Sequence, residues 1–325
     1  MTKHHIVSAL NEALRSQMKQ DKSIVVLGED VGKDGGVFRV TDGLYDEFGD
    51  SRLIDTPLAE AGIIGAAVGL AINGLKPIVE IQFIGFSYEG FHHINHHMSR
   101  FRQRTEGAIN LPMVLRAPYG GGIRALEIHS ESPETFFAHS MGLKVVVPSC
   151  PKDAKGLLIS AIKDPDPVIF LEPEKTYRSF REEVPDEDYE IPIGKANLVN
   201  EGDDLTIISW GSMLKLCKDS LEDIKKLGFN PDIIDLRTIY PLDTETILKS
   251  VKKTGRVLVV CEAPRSGSWA SEIVARIQEE AILHLDAPIG RVTAFDLPYP
   301  QFALENYYLP GKKRILNEIK KLMDF

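Results

Sequence analysis

The sequence predicts an α/β protein of two domains, a parallel-sheet domain followed by a smaller α/β domain. Three observations predict it. Short unbroken runs of Val, Ile and Leu recur between stretches of helical periodicity, the pattern of a parallel sheet covered on both faces. Several of these runs end in glycine-containing or polar loops, and open α/β sheets keep their working residues at the carboxyl ends of strands. A charged segment with two prolines, Arg181 to Pro192, interrupts the alternation and reads as a surface linker. The first domain is placed at 1–185, the linker at 186–194 and the second domain at 195–325.

Taken in order, Ile6, Leu10, Ala13, Leu14 and Met18 share one face of an opening helix, as residues three to four apart do. Ser23–Leu27 is an apolar strand that runs into Gly28-Glu29-Asp30. Next comes Asp55-Thr56-Pro57-Leu58-Ala59-Glu60-Ala61-Gly62, then an apolar helix through Ile72. Proline is tolerated in or near a first helical turn, so Glu60 falls early in that helix. Pro77–Phe83 is a strand, Gly90–Arg104 a helix, and Pro112–Arg116 a strand entering the loop Gly120-Gly121-Gly122. The strands Lys144–Pro148 and Val168–Leu171 flank a helix from Lys152 to Ile162. The loops after Leu27, around Gln82 to Phe86 and from Tyr119 to His129 are therefore expected on one sheet edge.

The second domain alternates in the same way. Its strands are Asp204–Ser209, Asp232–Leu236, Arg256–Val260 and Arg291–Phe295. Its helices are Met213–Leu227, stopped by Gly228, then Thr244–Val251, Ser271–Glu280 and Lys312–Met323. Glycine just past a helix end supplies the left-handed residue that closes it.

Composition excludes several classes. With 43% hydrophobic and 26% charged residues the chain is an ordinary globular one. Its net charge of -9 argues against nucleic acid as a partner. The apolar stretch Ala61–Ile72, interrupted by Gly62, Gly65 and Gly69, falls short of the roughly 20 residues that span a bilayer. Met1–Val7 has no signal-peptide pattern. Cys150, Cys217 and Cys261 are widely spaced with no CxxC, so neither a disulfide framework nor a cysteine metal site is expected. A cytoplasmic, reducing compartment fits these features.

Four features are candidates for chemistry. Glu60 sits among small and apolar residues; a carboxylate there is paired or functional, because burying an unpaired charge is costly. The alternative is a surface carboxylate complementing the helix dipole. His92, His93, His96 and His97 form two i, i+4 pairs, but a zincin needs glutamate after the first histidine and His93 stands there. They receive no role. Gly120–Gly122 lacks the lysine of a phosphate-binding P-loop and reads as a loop that admits close backbone approach. His129 follows it and is a candidate acid or base; no GxSxG elbow supports Ser130 as a nucleophile.

A set of motifs in fixed order carries a resemblance. They are Asp55–Gly62, Pro77–Phe83, Arg116-Ala117-Pro118, His129-Ser130-x-Ser132-Pro133-Glu134, Pro148–Gly156, Asp235-Leu236-Arg237-Thr238-Ile239-x-Pro241-Leu242-Asp243 and Glu262–Glu272. Along essentially its whole length the chain resembles the beta subunits of the thiamine-diphosphate-dependent decarboxylases of 2-oxo acid dehydrogenase complexes, of pyruvate or branched-chain type. The resemblance implies a transketolase pyrimidine-binding-like domain followed by a transketolase C-terminal-like domain. It assigns Glu60 to the glutamate that shares a proton with the cofactor's aminopyrimidine. It assigns Phe86 to an aromatic packed on that ring, and Gln82, Leu58 and Glu29 to the pocket's borders. His129 matches a histidine that assists acyl transfer to lipoyl sulfur. A potassium ion in the family corresponds here to Ala161, Ile162, Asp164, Asp166 and Met113, with Asp166 where asparagine is frequent. The family's helix opens Phe-Asp-Gln where this chain has Phe91-His92-His93.

The resemblance also implies partners. Thiamine-diphosphate enzymes hold the diphosphate and its magnesium with Gly-Asp-Gly and later paired asparagines, and this chain has neither. An alpha subunit is expected to supply that half, in a two-alpha, two-beta heterotetramer docked on a dihydrolipoyl acyltransferase core and its lipoyl domain. The alternatives are half of a transketolase-like or deoxyxylulose-phosphate-type transferase, and a non-catalytic docking subunit.

Overall fold

The structure, a computed structural model, describes residues 1–325. Its first sheet has seven strands in the spatial order Thr238–Tyr240, Lys144–Val146, Val168–Pro173, Val114–Tyr119, Lys76–Glu80, Ile24–Gly28, Leu53–Asp55. All neighbours are parallel except the first pair. The second sheet has five strands in the order Gly290–Ala294, Val257–Pro264, Leu205–Ser209, Pro231–Asp235, Asn197–Asn200, with only the last antiparallel.

Sequence and structure agree where periodicity is strong. The opening helix runs Ile6–Gln20, with His5 and Ser8 bonding reciprocally across its first turn. It packs on the helix Pro151–Lys163, which carries proline in its first turn. The helix Gly211–Lys226 is closed by Gly228, whose φ is 92°, with the Phe229 N–H reaching Ile224 O and the Gly228 N–H reaching Lys225 O. This pairing satisfies two otherwise orphaned carbonyls.

Three expectations need correction or refinement. Gly90–Arg104 is not one helix: Phe91–His93 is a short α-turn, Ile94–Met98 winds more widely, and Phe101–Arg104 is a separate turn. The Ser99 N–H reaches back to Ile94 O and its hydroxyl donates to Asn95 O at 2.6 Å, so local bonds compete with the regular ladder. The segment Arg181–Pro192 lies mostly at the surface, as read from the sequence, but is tied to the first half at two points. Glu182–Val184 pairs with Thr2–His4, Val184 and Ile191 are buried, and Ser160 Oγ donates to Ile191 O. Single apolar residues anchor it without any period to announce them. Finally, Thr238–Tyr240 leaves the C-terminal half and adds an edge strand to the first sheet.

The two halves also share their core. One apolar cluster of 40 buried residues runs from Leu27 and Ile64 through Val145 and Leu171 to Ile234, Val259 and Ile277. Polar ties cross the same boundary: Trp210 Nε1 donates to Glu134, Arg237 is bidentate on Asp153, and Ser149 Oγ donates to Asp235. No helix is long and apolar enough to cross a membrane.

Candidate active site

The site is assembled by register. Gly28 lies opposite Asp55 on one side and Glu80 on the other, and Glu80 lies opposite Arg116. The loops that follow these strand ends emerge together at the carboxyl edge of the sheet. A Cβ at Gly28 would stand 2.5 Å from Glu80 O, so glycine is what lets the strand pass its neighbour closely. The chain then turns through Asp30, whose φ is 58°.

Glu29 and Glu60 meet on this edge, each only 6% exposed. Glu60 is the first residue of the helix Glu60–Ile72, where the helix dipole favours a negative charge. Burial, then the charge of Glu60, then that of Asp30 push the Glu29 carboxyl above the usual carboxylate range. Gly90 admits the following segment against the start of this helix, since a Cβ there would lie 2.4 Å from Ile64 Cδ1 and 3.3 Å from Glu60 O.

An aromatic group follows the next strand, on a turn packed against the helix that Glu60 opens. Phe83 and Phe86 have ring centroids 5.5 Å apart, and His129 sits 4.5 Å from Phe83 and 5.0 Å from Phe86, all edge-on, a favourable arrangement for π systems. Phe86 lies in the turn Ile84–Tyr88 and His129 in the turn Glu127–His129. The two turns touch because a Cβ at Gly85 would be 2.2 Å from Ile128 O. His129 Nδ1 is buried without a hydrogen-bond partner, which leaves it a bonding position for something not on this chain.

Of the other predicted residues, Gln82 is brought to the edge, its amide 3.4 Å from Asp30 Oδ2. Leu58 is not gathered in: it is 79% exposed and belongs to no apolar cluster. At the expected potassium loop, Asp164 accepts two bonds from Lys144 Nζ at 2.6 Å, and Asp166 is held by Arg102 at 2.7 and 2.8 Å. Met113 is buried, as are Ala161 and Ile162. The histidine quartet stacks on itself, His92 to His96 at 4.7 Å and His93 to His97 at 5.5 Å. No group of three or more His, Cys, Asp or Glu side chains is placed to hold a metal ion.

Sequence reasoning missed the support beneath the site. Arg116 is bidentate on Glu172 at 2.6 and 2.7 Å and also donates to Glu80, all three buried, with Tyr177 Oη donating to Glu172. The signal was available: each charge ends an otherwise apolar run. Phe83 was also passed over as an aromatic partner of His129.

A pair of neighbouring buried carboxyls beside edge-on aromatic rings, with an unpartnered imidazole nitrogen, suits a flat basic heterocycle such as an aminopyrimidine. Fold and site together define a chain of a transketolase-like, thiamine-diphosphate-type enzyme. Residues 3–179 match the family model for the pyrimidine binding domain of transketolase, and residues 194–315 that for the transketolase C-terminal domain. A solved chain described as split gene transketolase, inactive beta4 tetramer, superposes with a TM-score of 0.81 over 98% of each chain, at 21% identity, a likeness of fold.

The chain is 51% identical over 317 residues to the pyruvate dehydrogenase E1 component subunit beta of Acholeplasma laidlawii, covering 98% of this chain and 97% of that one. It is 50% identical over 325 residues to the same subunit from Staphylococcus epidermidis and 49% identical to that of Staphylococcus aureus, each over the full length of both chains. The chain belongs to the family of pyruvate dehydrogenase E1 beta subunits.

Proposed function

We propose that this chain is the beta half of a thiamine-diphosphate-dependent 2-oxo acid dehydrogenase, acting on pyruvate and passing the acyl group to a lipoyl domain. The observation that carries the reading is the pair of buried carboxyls Glu60 and Glu29 on the sheet edge that also bears the Phe83–Phe86–His129 aromatic group, whose turn packs on the helix Glu60–Ile72. Thiamine diphosphate, when bound, supplies the electron sink for loss of carbon dioxide. The residues here do the rest. Glu60 holds a proton toward the ring nitrogen of the pyrimidine. Glu29 keeps its proton to a higher pH than an exposed carboxyl does, because burial, and after it the charge of Glu60, disfavours its ionised form. Phe86 and Gln82 border the ring, with Leu58 on the rim. His129, with Nδ1 unspent, is the acid or orienting donor for acyl transfer.

The wider assembly is part of the same proposal. An alpha subunit holds the diphosphate with magnesium, two alpha and two beta chains form the enzyme, and it docks on a dihydrolipoyl acyltransferase core in the cytoplasm. The working division of the chain is 1–185, 186–194 and 195–325. Potassium at the 161–166 loop rests on backbone carbonyls, since the carboxylates of Asp164 and Asp166 are already matched by Lys144 and Arg102.

The test is Glu60→Gln, reconstituted with the alpha subunit. Folding and subunit association are retained, and pyruvate decarboxylation falls by at least about 100-fold, the scale of a lost acid–base group. A variant turning over at near the parent rate overturns the assignment. Ratios of kcat/KM for pyruvate, 2-oxobutyrate and 2-oxoisovalerate decide the substrate.

A further inference from the structure

The loop that carries His129 is held from the other half of the chain. Gly121 N–H donates to Glu262 Oε2 at 3.1 Å, and Glu262 Oε1 accepts from Ser212 Oγ at 2.7 Å. Arg124 N–H donates to Glu305 Oε2 at 3.0 Å, and the same oxygen accepts from Tyr299 Oη at 2.9 Å. Gln301 Nε2 donates to Glu127 Oε2 at 3.3 Å. Glu262 and Glu305 are both buried, so their bonds are shielded from water.

Apolar burial adds little to the seating of this loop. Ile123, Leu126 and Ile128 are exposed, so apolar packing does not seat it. Behind it, Ser130, Glu131 and Ser132 face a cavity of about 160 Å³ whose far wall includes Glu262, Leu297 and Tyr299. The fit at the contact is nonetheless close: a Cβ on Gly121 would lie 2.0 Å from Tyr299 Oη. From the first half it is met by Gly85 against Ile128 O, by the Lys175 side chain against Gly122, and by Phe83 and Phe86 against the His129 ring.

We propose that Glu305, with Tyr299 and Glu262, forms a positioning device by which the C-terminal half sets the place of His129, so that acyl transfer depends on this contact more than decarboxylation does. The proposal rests on the reading of His129 given above. Glu60, Glu29 and Phe86 sit on other strand ends and do not touch these residues. His129 alone is borne by the loop that the second half holds. A small displacement of a catalytic group costs rate steeply, about 100-fold for 1 Å.

The experiment uses the reconstituted alpha–beta holoenzyme. It reads the ratio of two rates: acylation of a free lipoyl domain by pyruvate, and pyruvate decarboxylation with ferricyanide as electron acceptor. His129→Ala is the reference and lowers the ratio. Glu305→Ala lowers it by about 10- to 100-fold, and Glu305→Gln restores most of it, because one amide oxygen accepts both bonds. Gly121→Ala, which forces the Tyr299 ring or the loop to move, lowers the ratio through a different residue. If Glu305→Ala and Gly121→Ala stay within twofold of the parent ratio while His129→Ala falls, the positioning device is refuted. Equal loss of both rates in Glu305→Ala and Gly121→Ala refutes it too, as the sign of a merely structural contact. If His129→Ala itself keeps the parent ratio, the reading of His129 fails and takes this proposal with it.

Discussion

Glu60 and Glu134 show how differently two buried carboxyls are used. Glu60 opens a helix at the sheet edge beside Glu29. Glu134 is fully buried at the boundary between the halves, accepting from Trp210 Nε1 at 3.0 Å while its other oxygen has no partner. Burial pushes Glu134 up to about 8, and pushes Glu174, whose two oxygens are both unpartnered, up to about 9. Both groups bind protons more tightly folded than unfolded, so their stabilising contribution is full below the ordinary carboxyl pKa and is lost as pH rises through 8 to 9. Thermal unfolding of the parent protein is therefore expected to show Tm falling between about pH 5 and 8. Glu134→Gln, which keeps the bond from Trp210 and cannot ionise, flattens that slope; an unchanged slope excludes Glu134 as its source. Glu60 was legible in the sequence because a lone carboxylate in an apolar run is conspicuous. Glu134 was seen only as part of a motif, since its burial comes from a tryptophan 76 residues away.

At the level of elements, the sheet edge is built on a buried ion triad. Glu80 at the end of its strand, Arg116 within the next and Glu172 near the end of the third meet because those strands are adjacent, parallel and in register. Breaking a buried pair strands its partner's charge away from water, at about 3–5 kcal/mol. Arg116→Met is therefore expected to lower the unfolding free energy measured in urea by about that amount, with two carboxylates left facing each other. A shift under about 1 kcal/mol would show that water or rearrangement already screens them. The strands themselves were readable from their Val, Ile and Leu runs. Their pairing partners were not, and the broken helix after Gly90 was hidden because a serine's local bonds leave no mark on apolar spacing.

The whole molecule is one body, proposed above to carry half of a shared site. A core cluster common to both halves and the edge strand Thr238–Tyr240 tie the second half to the first. Its active edge has carboxyls and aromatic rings for a pyrimidine but no metal-ligand cluster for a diphosphate, and a doubly charged diphosphate needs its cation. The isolated chain is accordingly expected to bind thiamine diphosphate and magnesium weakly or not at all by calorimetry, with tight binding appearing when the alpha subunit is added. Tight magnesium-dependent binding to this chain alone would contradict the half-site.

By itself the sequence determined the α/β class, nearly every strong strand and helix, the resemblance to its family, and the glutamate and histidine around which the chemistry is argued. These are local properties: periodicity, punctuation by glycine and proline, and the oddity of a charge in an apolar run. The tertiary structure alone decided that Glu29 stands by Glu60, that Phe83 and Phe86 flank His129, that Leu58 faces outward, and that the C-terminal half holds the His129 loop. Each of these depends on which strands lie side by side and how closely glycines let turns approach, and those distances arise only when segments far apart in the chain are packed together.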